Sequence, residues 1–365
     1  MSSTNFADLG PVIRKLVSRT NLSENEIRRS VNSILKGEAS DASIASFLVG
    51  LAMKGETAEE IKAILQTVNE HAIKITPKVN GTLIDTCGTG GDTIKSFNIS
   101  TAAAIVASSA GGKVAKHGNR SFSGYCGSAD FLEYVGLDLN STPTNVTQVI
   151  EKAGIGFLYS PKFHPAMRNT ASARKTIGIR TVFNIVGPLS NPCTNISAQL
   201  VGVFEPSLLE TIPVALQDAY ENGLAGEAMV IHAYDGFDEL SNTCENDIVW
   251  LVKRQIKRIR LHPNIVNIQV AKPEQLLVYS KEDSIRDTLQ SIYGIASREK
   301  EDIVVLNASA ALVIGKVAKD FREGVEIARS AIKEEKAQKK LAELIYYCGD
   351  KAKLAEAEKK FIYSC

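Results

Sequence analysis

The stretch 83–92 reads LIDTCGTGGD, and it indicates the class of fold that this chain of 365 residues adopts. A short apolar run leads into a turn with three glycines in four positions, and the small-residue stretch 98–107, NISTAAAIVA, follows with the composition of a helix. A strand, a glycine-rich turn and a helix in this order are typical of an α/β fold with a mostly parallel sheet. Glycine N–H groups and the N-terminal end of a helix both favour anions, so the unit predicts a phosphate site at the strand end.

A second cluster, KHGNRSFSG at 116–124, stands about one helix further along and follows another apolar run. Lys116 and Arg120 supply positive charge, and Ser121 and Ser123 supply hydroxyl donors. Because the carboxyl ends of parallel strands share one edge of a sheet, we expect both clusters to face one phosphorylated ligand. Neither cluster is a Walker A loop or a G-x-G-x-x-G turn.

The rest of the chain shows two kinds of sequence pattern, one of alternating strands and helices and one of helices alone. Candidate strands are 83–86, 113–116, 155–159, 198–204, 229–232 and 248–252, and candidate helices are 101–110, 129–135, 144–152, 207–221, 303–317 and 321–347. Residues 9–75 differ, because their apolar residues recur at helical spacing throughout. There, Ser23 with Glu26 and Thr57 with Glu60 have the spacing of capping boxes.

We therefore predict an α/β protein in two domains. A small all-helical domain is expected at residues 1–76, and a larger α/β domain with a mostly parallel central sheet at residues 77–345. Helices near 163–190 are expected to pack on the helical domain. Residues 346–365 are expected to form a C-terminal extension.

Composition excludes several classes of function. Lys and Arg total 42 against 41 Asp and Glu, a net charge of +1, which lacks the basic field of nonspecific nucleic-acid binders. The sequence shows neither a leader pattern nor a long apolar segment, so we expect a soluble, intracellular protein that binds no membrane. The six cysteines form no C-x-x-C pair, which argues against a disulfide framework or a thiolate zinc site. Cys87 is interpreted as a packing residue rather than a nucleophile, since no histidine lies near it in sequence.

Two further stretches bring charge to the expected ligand edge of the sheet. Asp238 and Glu239 follow the candidate strand 229–232, where adjacent carboxylates suit Mg²⁺ bridged to phosphates, although such pairs are more often a solvated loop. The stretch 163–192 sets Arg174 and Arg180 before an apolar, proline-containing loop, which suits a ligand with a carboxylate and a ring. Arg180 is equally consistent with a structural pairing.

In combination and in this order, the motifs resemble those of the anthranilate phosphoribosyltransferases of tryptophan biosynthesis. The resemblance extends over almost the whole chain. It rests on ASFLVGLAMKGET at 45–57, GTGGD at 88–92, FNIST at 97–101, KHGNR at 116–120, GSAD at 127–130, the block 174–192, and Asp238 with Glu239.

The resemblance implies transfer of phosphoribosyl from 5-phosphoribosyl 1-pyrophosphate to the amine of anthranilate, with Mg²⁺ as cofactor. It implies that the donor is held by Gly88, Gly91, Asp92, Ser96, Asn98, Ile99, Ser100, Thr101, Lys116, His117, Gly118, Asn119, Arg120, Ser121, Phe122, Ser123, Gly124 and Ser128. The implied magnesium ligands are Ser100, Asp238 and Glu239, and the implied anthranilate contacts are Gly88, Asn119, His164, Arg174 and Pro188. Lys116, Asn119 and Arg174 are the implied catalytic residues.

The resemblance also implies a cytoplasmic homodimer, joined through the helical domain, with the fold shared by pyrimidine nucleoside phosphorylases. Two alternatives stay open. A pyrimidine nucleoside phosphorylase would share the fold and a glycine loop, but the sequence at 86–91, TCGTGG, differs from the KHSTGG pattern of those enzymes. A non-catalytic, nucleic-acid-binding relative of the same fold is disfavoured by the near-zero net charge.

Overall fold

The N-terminal part of the protein is a group of helices. The computed structural model describes residues 7–90, 94–121, 124–219 and 226–363. The first helices are α1 (Gly10–Val17), α2 (Glu24–Leu35), α3 (Asp41–Lys54) and α4 (Ala58–Glu70). Both predicted capping boxes are present, at Ser23 with Glu26 and at Thr57 with Glu60, so these helices begin where their side chains satisfy the first backbone N–H groups.

A seven-stranded sheet follows. Its strands are β1 (Leu83–Gly88), β2 (Lys113–Gly118), β3 (Ile155–Tyr159), β4 (Ala198–Gly202), β5 (Glu227–Ala233), β6 (Asn246–Val252) and β7 (Gln255–Leu261). The spatial order is β3-β2-β1-β4-β5-β6-β7, in which β1 to β5 run parallel and β6 and β7 are antiparallel. The prediction of a mostly parallel sheet is therefore confirmed.

Strand β7 was missed from the sequence because it is a charged edge strand. Lys257, Arg258 and Arg260 are exposed on it, and such charge protects an edge from pairing with another chain. The turn that leads into it has positive φ at both Lys253 (48°) and Arg254 (64°), the geometry of a tight hairpin turn without the usual glycine or asparagine.

The remaining helices cover both faces of the sheet. They are α5 (Ile99–Ser109), α6 (Ser128–Tyr134), α7 (Pro143–Ala153), α8 (Ser160–Phe163), α9 (Ala171–Ile177), α10 (Val182–Leu189), α11 (Leu208–Ala219), α12 (Lys281–Tyr293), α13 (Arg298–Ile314), α14 (Phe321–Lys333), α15 (Lys336–Cys348) and α16 (Lys351–Phe361). The prediction of one helix over 321–347 is wrong. Glu335 adopts a left-handed backbone (φ 59°), which ends α14 and turns α15 back to pack on α5 and α7.

The side chains of alternate residues in the parallel strands lie in two buried hydrophobic clusters, one on each face of the sheet. Ile84 and Leu200 pack with α5 and α13, whereas Cys87 and Val201 pack with the N-terminal helices, α10 and α11. Helix α9 contacts α3, and α10 contacts α4. In the part of the chain that the structure describes, no helix is long and apolar enough to cross a membrane.

Candidate active site

The two glycine clusters lie side by side at the carboxyl edge of the sheet, as predicted. Strands β1 and β2 are neighbours that end at Gly88 and Gly118, and α5 begins between them in sequence. Lys116 joins the two clusters, because its Nζ donates to the Thr86 carbonyl at 2.5 Å and to Ser100 Oγ at 3.2 Å. The side chain is only 4% exposed, so the ammonium lies beneath the ligand edge. Burial lowers the pKa of Lys116, and the nearby carboxylates of Asp85 and Glu239 oppose that change.

Asp85 is a buried acid that sequence reasoning missed. Its Oδ1 accepts a hydrogen bond from the His117 backbone N–H at 3.0 Å, which ties β1 to the start of the second cluster. Burial raises the pKa of Asp85 to about 6, while Lys116 and Asn191 favour its charged form. An aspartate inside an otherwise apolar strand was the available signal, because such a group is rarely buried without a partner.

Asp238 and Glu239 reach across the sheet to β1 and α5. Asp238 Oδ2 accepts from the Gly90 N–H at 2.6 Å, and Glu239 Oε1 accepts from the Ser100 N–H at 3.1 Å. A Cβ on Gly88 would lie 2.2 Å from Asp238 Oδ2, and one on Gly202 would lie 1.5 Å from the Asp238 carbonyl oxygen. Glycine is therefore required at both strand ends for the acidic turn to approach the first cluster.

Asn307 of α13 anchors the acidic turn from behind and was also missed. Its Oδ1 accepts from the Leu240 N–H at 2.9 Å, and its Nδ2 donates to the Leu240 carbonyl at 2.8 Å. Phe237 and Leu240, on either side of the acidic pair, are fully buried. The two carboxylates are thus held between apolar anchors and a fully bonded amide.

The oxygen atoms at this point fit a magnesium ion. Ser100, Asp238 and Glu239 bring a hydroxyl and two carboxylates together, the hard donors that Mg²⁺ prefers. Burial raises the pKa of Glu239 to about 8, and the neighbouring charge of Asp238 adds to that change, so a cation would stabilise the charged pair. No group of three or more His, Cys, Asp or Glu side chains suited to a metal occurs in the described ranges.

The start of α5 is fixed from α12. The Asn98 N–H donates to Thr288 Oγ1 at 3.1 Å, and Asn98 Nδ2 donates to Ser284 Oγ at 3.3 Å. Ser96 Oγ lies 3.4 Å from the Phe97 carbonyl. Of the other predicted donor residues here, Ile99 and Thr101 bury their side chains in the protein.

In the second cluster the polar groups bond to one another and to α6. Arg120 pairs with Asp130 at 3.0 Å and with Glu133 at 2.8 Å, and the Ser121 N–H donates to Asp130 Oδ2 at 3.1 Å. The Asn119 carbonyl accepts from Ser128 Oγ at 3.2 Å. The sequence alone did not reveal these pairings of Arg120. Four predicted donor residues lie outside the described residues, namely Gly91, Asp92, Phe122 and Ser123.

Arg174 on α9 is a half-buried cation with no carboxylate within ion-pair distance among the described residues. Its guanidinium lies 5.7 Å from the Phe183 ring centroid, and burial lowers its pKa. Arg180 is exposed and stacks over Phe204 at 4.0 Å. Because the Phe204 N–H donates to Thr89 Oγ1 at 3.3 Å, Arg180 lies close to the first glycine cluster.

Two buried imidazoles lie between the second cluster and the block 163–192. The rings of His117 and His164 are 5.1 Å apart, and His164 Nε2 lies 2.8 Å from the Ser190 carbonyl, just after Pro188. Burial lowers the pKa of His164 to about 4 and that of His117 well below its ordinary value, so both rings are neutral. His117 Nε2 and His164 Nδ1 are buried without a hydrogen-bond partner in the described ranges.

Cys87 has the environment of a packing residue. It is 7% exposed, and its Sγ lies 3.6 Å from the Leu200 carbonyl. Burial raises the pKa of the thiol well above its ordinary value, with nearby carboxylates adding to the effect. A thiol held in its protonated form is a poor nucleophile.

Comparison with known proteins gives consistent results for both parts of the chain. Residues 10–72 match the helical bundle domain of a glycosyl transferase family, and residues 80–338 match the α/β domain of that family. The chain is 43% identical to the anthranilate phosphoribosyltransferase of Acetivibrio thermocellus, over 93% of this chain and 96% of that protein. It is 38% identical to that of Nitrosopumilus maritimus, over 95% and 99% of the two chains.

Solved structures show the same likeness. The crystal structure of anthranilate phosphoribosyltransferase from Thermus thermophilus is 34% identical, with a TM-score of 0.84 over 92% of this chain and 98% of that one. The enzyme from Saccharomyces cerevisiae in complex with PRPP and Mg has a TM-score of 0.83 at 24% identity, over 92% and 96% of the chains. At 24% identity, the similarity to the enzyme from Saccharomyces cerevisiae is a similarity of fold alone.

Proposed function

The chain belongs to the anthranilate phosphoribosyltransferase family, and we propose that it transfers phosphoribosyl from 5-phosphoribosyl 1-pyrophosphate (PRPP) to the amine of anthranilate in tryptophan biosynthesis. One observation carries this proposal. The two joined glycine clusters and the acidic pair meet at the carboxyl edge of the sheet, and helix α9 carries a guanidinium without a carboxylate partner among the described residues, an arrangement that supports a phosphorylated donor and a carboxylate-bearing acceptor. The relatives named above support this transferase over a nucleoside phosphorylase or a nucleic-acid-binding protein.

The donor half of the site is proposed to hold PRPP with Mg²⁺. Ser100, Asp238 and Glu239 would hold the metal, whose bound charge would oppose the negative charge that develops on pyrophosphate. The relative solved with PRPP and Mg supports this choice of cofactor. The phosphates would lie against the residues that the family motifs assign to the donor, namely Gly88, Gly91, Asp92, Ser96, Asn98, Ile99, Thr101, Lys116, His117, Gly118, Asn119, Arg120, Ser121, Phe122, Ser123, Gly124 and Ser128.

Lys116 is proposed to act from beneath the donor. Its ammonium bonds the Thr86 carbonyl and Ser100 Oγ, so it orients the serine hydroxyl and brings positive charge close to the departing pyrophosphate. The bond between C1 of the ribose and the pyrophosphate oxygen breaks with its electron pair on the oxygen. The anthranilate nitrogen then bonds to C1 and loses a proton to water. Fixed N–H dipoles and charges at the leaving group supply most of the stabilisation that such a reaction needs.

The acceptor half is proposed to bind anthranilate through its carboxylate and its ring. Arg174 would pair with the carboxylate, since its guanidinium has lost hydration without gaining an anion among the described side chains. Asn119 would meet the amine next to Gly88, and His164 and Pro188 would line the path to this position. The neutral imidazoles add no charge that would draw the carboxylate away from Arg174.

We further propose the division into a helical domain at 1–76, an α/β domain at 77–345 and an extension at 346–365, in a cytoplasmic homodimer. Two large apolar side chains on α1 and α3 support a dimer through the helical domain, because Val17 is 77% exposed and Met53 is 73% exposed. Closure of the two domains would exclude water, which competes with anthranilate for C1.

The test is the loss of anthranilate fluorescence when the purified protein is mixed with PRPP, Mg²⁺ and anthranilate. We expect loss with all components and none when EDTA removes the metal or when PRPP is omitted. Phosphorolysis of a pyrimidine nucleoside with inorganic phosphate, in place of fluorescence loss, would overturn the proposal. A salt-dependent shift of DNA in a gel, from a protein without transferase activity, would favour the nucleic-acid-binding alternative.

A further inference from the structure

The C-terminal helix α16 connects two helices that hold the donor site. It lies beyond residue 338, where the match to the α/β domain of the family ends. It packs against both α6 and α12. We propose that α16 is a positioning element for the PRPP site, which keeps the two glycine clusters at a fixed spacing; this rests on the transferase function proposed above.

The contact with α6 includes both backbone and side chains. Between α15 and α16, the Asp350 N–H donates to the Gly136 carbonyl at 2.8 Å, and the Asp138 N–H donates to the Cys348 carbonyl at 2.9 Å. Gly136 has a φ of 106°, and a Cβ there would lie 2.3 Å from the Asp350 carbonyl oxygen. The end of α6 is therefore shaped to accept the segment that begins α16.

Side chains extend this contact along α16. The Tyr134 ring, in the last turn of α6, lies 6.1 Å from the ring of Phe361. Leu354, Ala357 and Phe361 are all buried, at the 3.6-residue spacing of one helix face. The helix is thus a packed part of the fold rather than a solvated tail.

The contact with α12 is made by polar groups at the end of α16. Gln290 Nε2 donates to the Phe361 carbonyl at 3.0 Å, and Tyr293 OH donates to the Glu358 carboxylate. Lys360 pairs with Glu282 at 3.0 Å. These bonds fix the C-terminal half of α12 and its first turn to the same helix that holds α6.

Each of the two connected helices bonds directly to one predicted phosphate cluster. On α6, Asp130 Oδ2 accepts from the backbone N–H groups of Ser121 at 3.1 Å and Gly127 at 2.9 Å. On α12, Thr288 and Ser284 accept from Asn98, at the start of α5. Helix α16 therefore completes a closed path from one cluster to the other, through α6 and α12.

The closed path predicts a larger effect on PRPP than on anthranilate. PRPP is proposed to contact both clusters at once, so a change in their spacing weakens its binding, because a misplacement of even about 1 Å can reduce catalysis markedly. Arg174 and His164 lie on segments whose apolar residues belong to hydrophobic clusters other than the one that contains α16. Anthranilate binding, which is proposed to use Asn119 and Gly88 of the clusters as well as Arg174, is therefore expected to change less than PRPP binding.

The experiment uses point variants of the full chain. Phe361→Ala removes the ring that packs on α6, and Tyr293→Phe removes only the hydroxyl that bonds Glu358, so the second variant is expected to fold even if the first does not. Glu356→Gln, on the exposed face of α16, is the matched control. The readouts are KM for PRPP, KM for anthranilate, and amide hydrogen exchange in residues 94–101, 119–121 and 124–128.

For Phe361→Ala we expect KM for PRPP to rise about tenfold with KM for anthranilate within about twofold, and for Tyr293→Phe a rise of about threefold. Exchange in both clusters is expected to become faster, whereas Glu356→Gln leaves all readouts unchanged. Unchanged KM values and unchanged exchange in Tyr293→Phe, or equal changes for both substrates, would overturn the positioning role. If the wild-type chain shows no transferase activity, the function proposal fails, and the exchange rates alone decide whether α16 fixes the clusters.

Discussion

The two halves of the site differ in how their cationic side chains are paired. In the donor half, Lys116 bonds Thr86 and Ser100, and Arg120 pairs with Asp130 and Glu133. In the acceptor half, Arg174 has no carboxylate partner among the described side chains. There, His164 Nδ1 is likewise buried without a partner within the same part of the chain.

The two substrates are therefore expected to gain their affinity in different ways. A donor that enters the first half exchanges existing protein bonds for its own, so its net gain depends on the metal and on fixed geometry. An acceptor that enters the second half satisfies groups that already lack partners. Its binding is therefore expected to depend strongly on single side chains, since an unsatisfied buried group is costly.

The largest effect should come from removing the acidic pair. We expect the double variant Asp238→Ala, Glu239→Ala to lower kcat by about 10²–10³. The carboxylates proposed to hold the metal against the pyrophosphate would be lost, and KM for anthranilate should change little. The measurement is steady-state turnover over a range of Mg²⁺ concentrations, with Glu274→Gln on the exposed surface as control. A double variant with the magnesium dependence of the wild type would refute the assignment of the pair.

The next effect concerns the neutral imidazoles of the acceptor half. The pKa of His164 is lowered to about 4 in the folded protein, against about 6.5 in the unfolded chain. Between these two pKa values the unfolded state therefore binds more protons than the folded state. The contribution of His164 to the free energy of unfolding is fully present above about pH 6.5 and is lost as the pH falls toward about 4. The loss amounts to about 3 kcal/mol of unfolding free energy.

Urea unfolding at about pH 7.5 and about pH 4.5 measures this loss, and the variant His164→Gln should show a correspondingly smaller difference between the two pH values. His117 has the same direction of change and stays in the variant, so part of the pH dependence is expected to remain there. His262→Gln controls for removing a histidine elsewhere. Equal pH dependence in wild type and His164→Gln would show that the ring is not held neutral by the fold.

A smaller effect is expected from Arg174. The variant Arg174→Ala should raise KM for anthranilate about 10- to 50-fold with KM for PRPP unchanged, because a charge-assisted hydrogen bond contributes about 1.5–3 kcal/mol. Lys175→Ala, one residue along the same helix and exposed, is the control. Aniline, which lacks the carboxylate, should be used equally poorly by wild type and variant. A variant that loses activity with aniline as well would show that Arg174 supports the fold rather than the carboxylate.

The sequence predicts which residues line the donor half better than it predicts which residues hold them in place. Glycine turns at strand ends and the adjacent acids at 238–239 are local patterns, and the structure places them together because parallel strands share a carboxyl edge. Asp85 and Asn307 were missed because their partners are distant in sequence, 32 residues away for His117 and 67 for Leu240. The break at Glu335 was missed because a non-glycine residue adopts a left-handed backbone there, against its local preference.

The smallest expected effect tests whether PRPP, when it binds, replaces ion pairs that already exist within the donor half. Glu133 is half exposed and pairs with Arg120, a kind of surface ion pair that contributes little to stability. The variant Glu133→Gln should leave Arg120 paired with Asp130 alone, so that Arg120 reaches phosphate more easily and KM for PRPP falls about two- to threefold, while Asp130 still holds the backbone of the cluster. Glu356→Gln, which removes the same charge from another exposed helix, is the control for net charge. A raised KM would instead mean that Glu133 positions Arg120 for the ligand, and an unchanged KM would mean that Arg120 stays bound to α6 when PRPP enters.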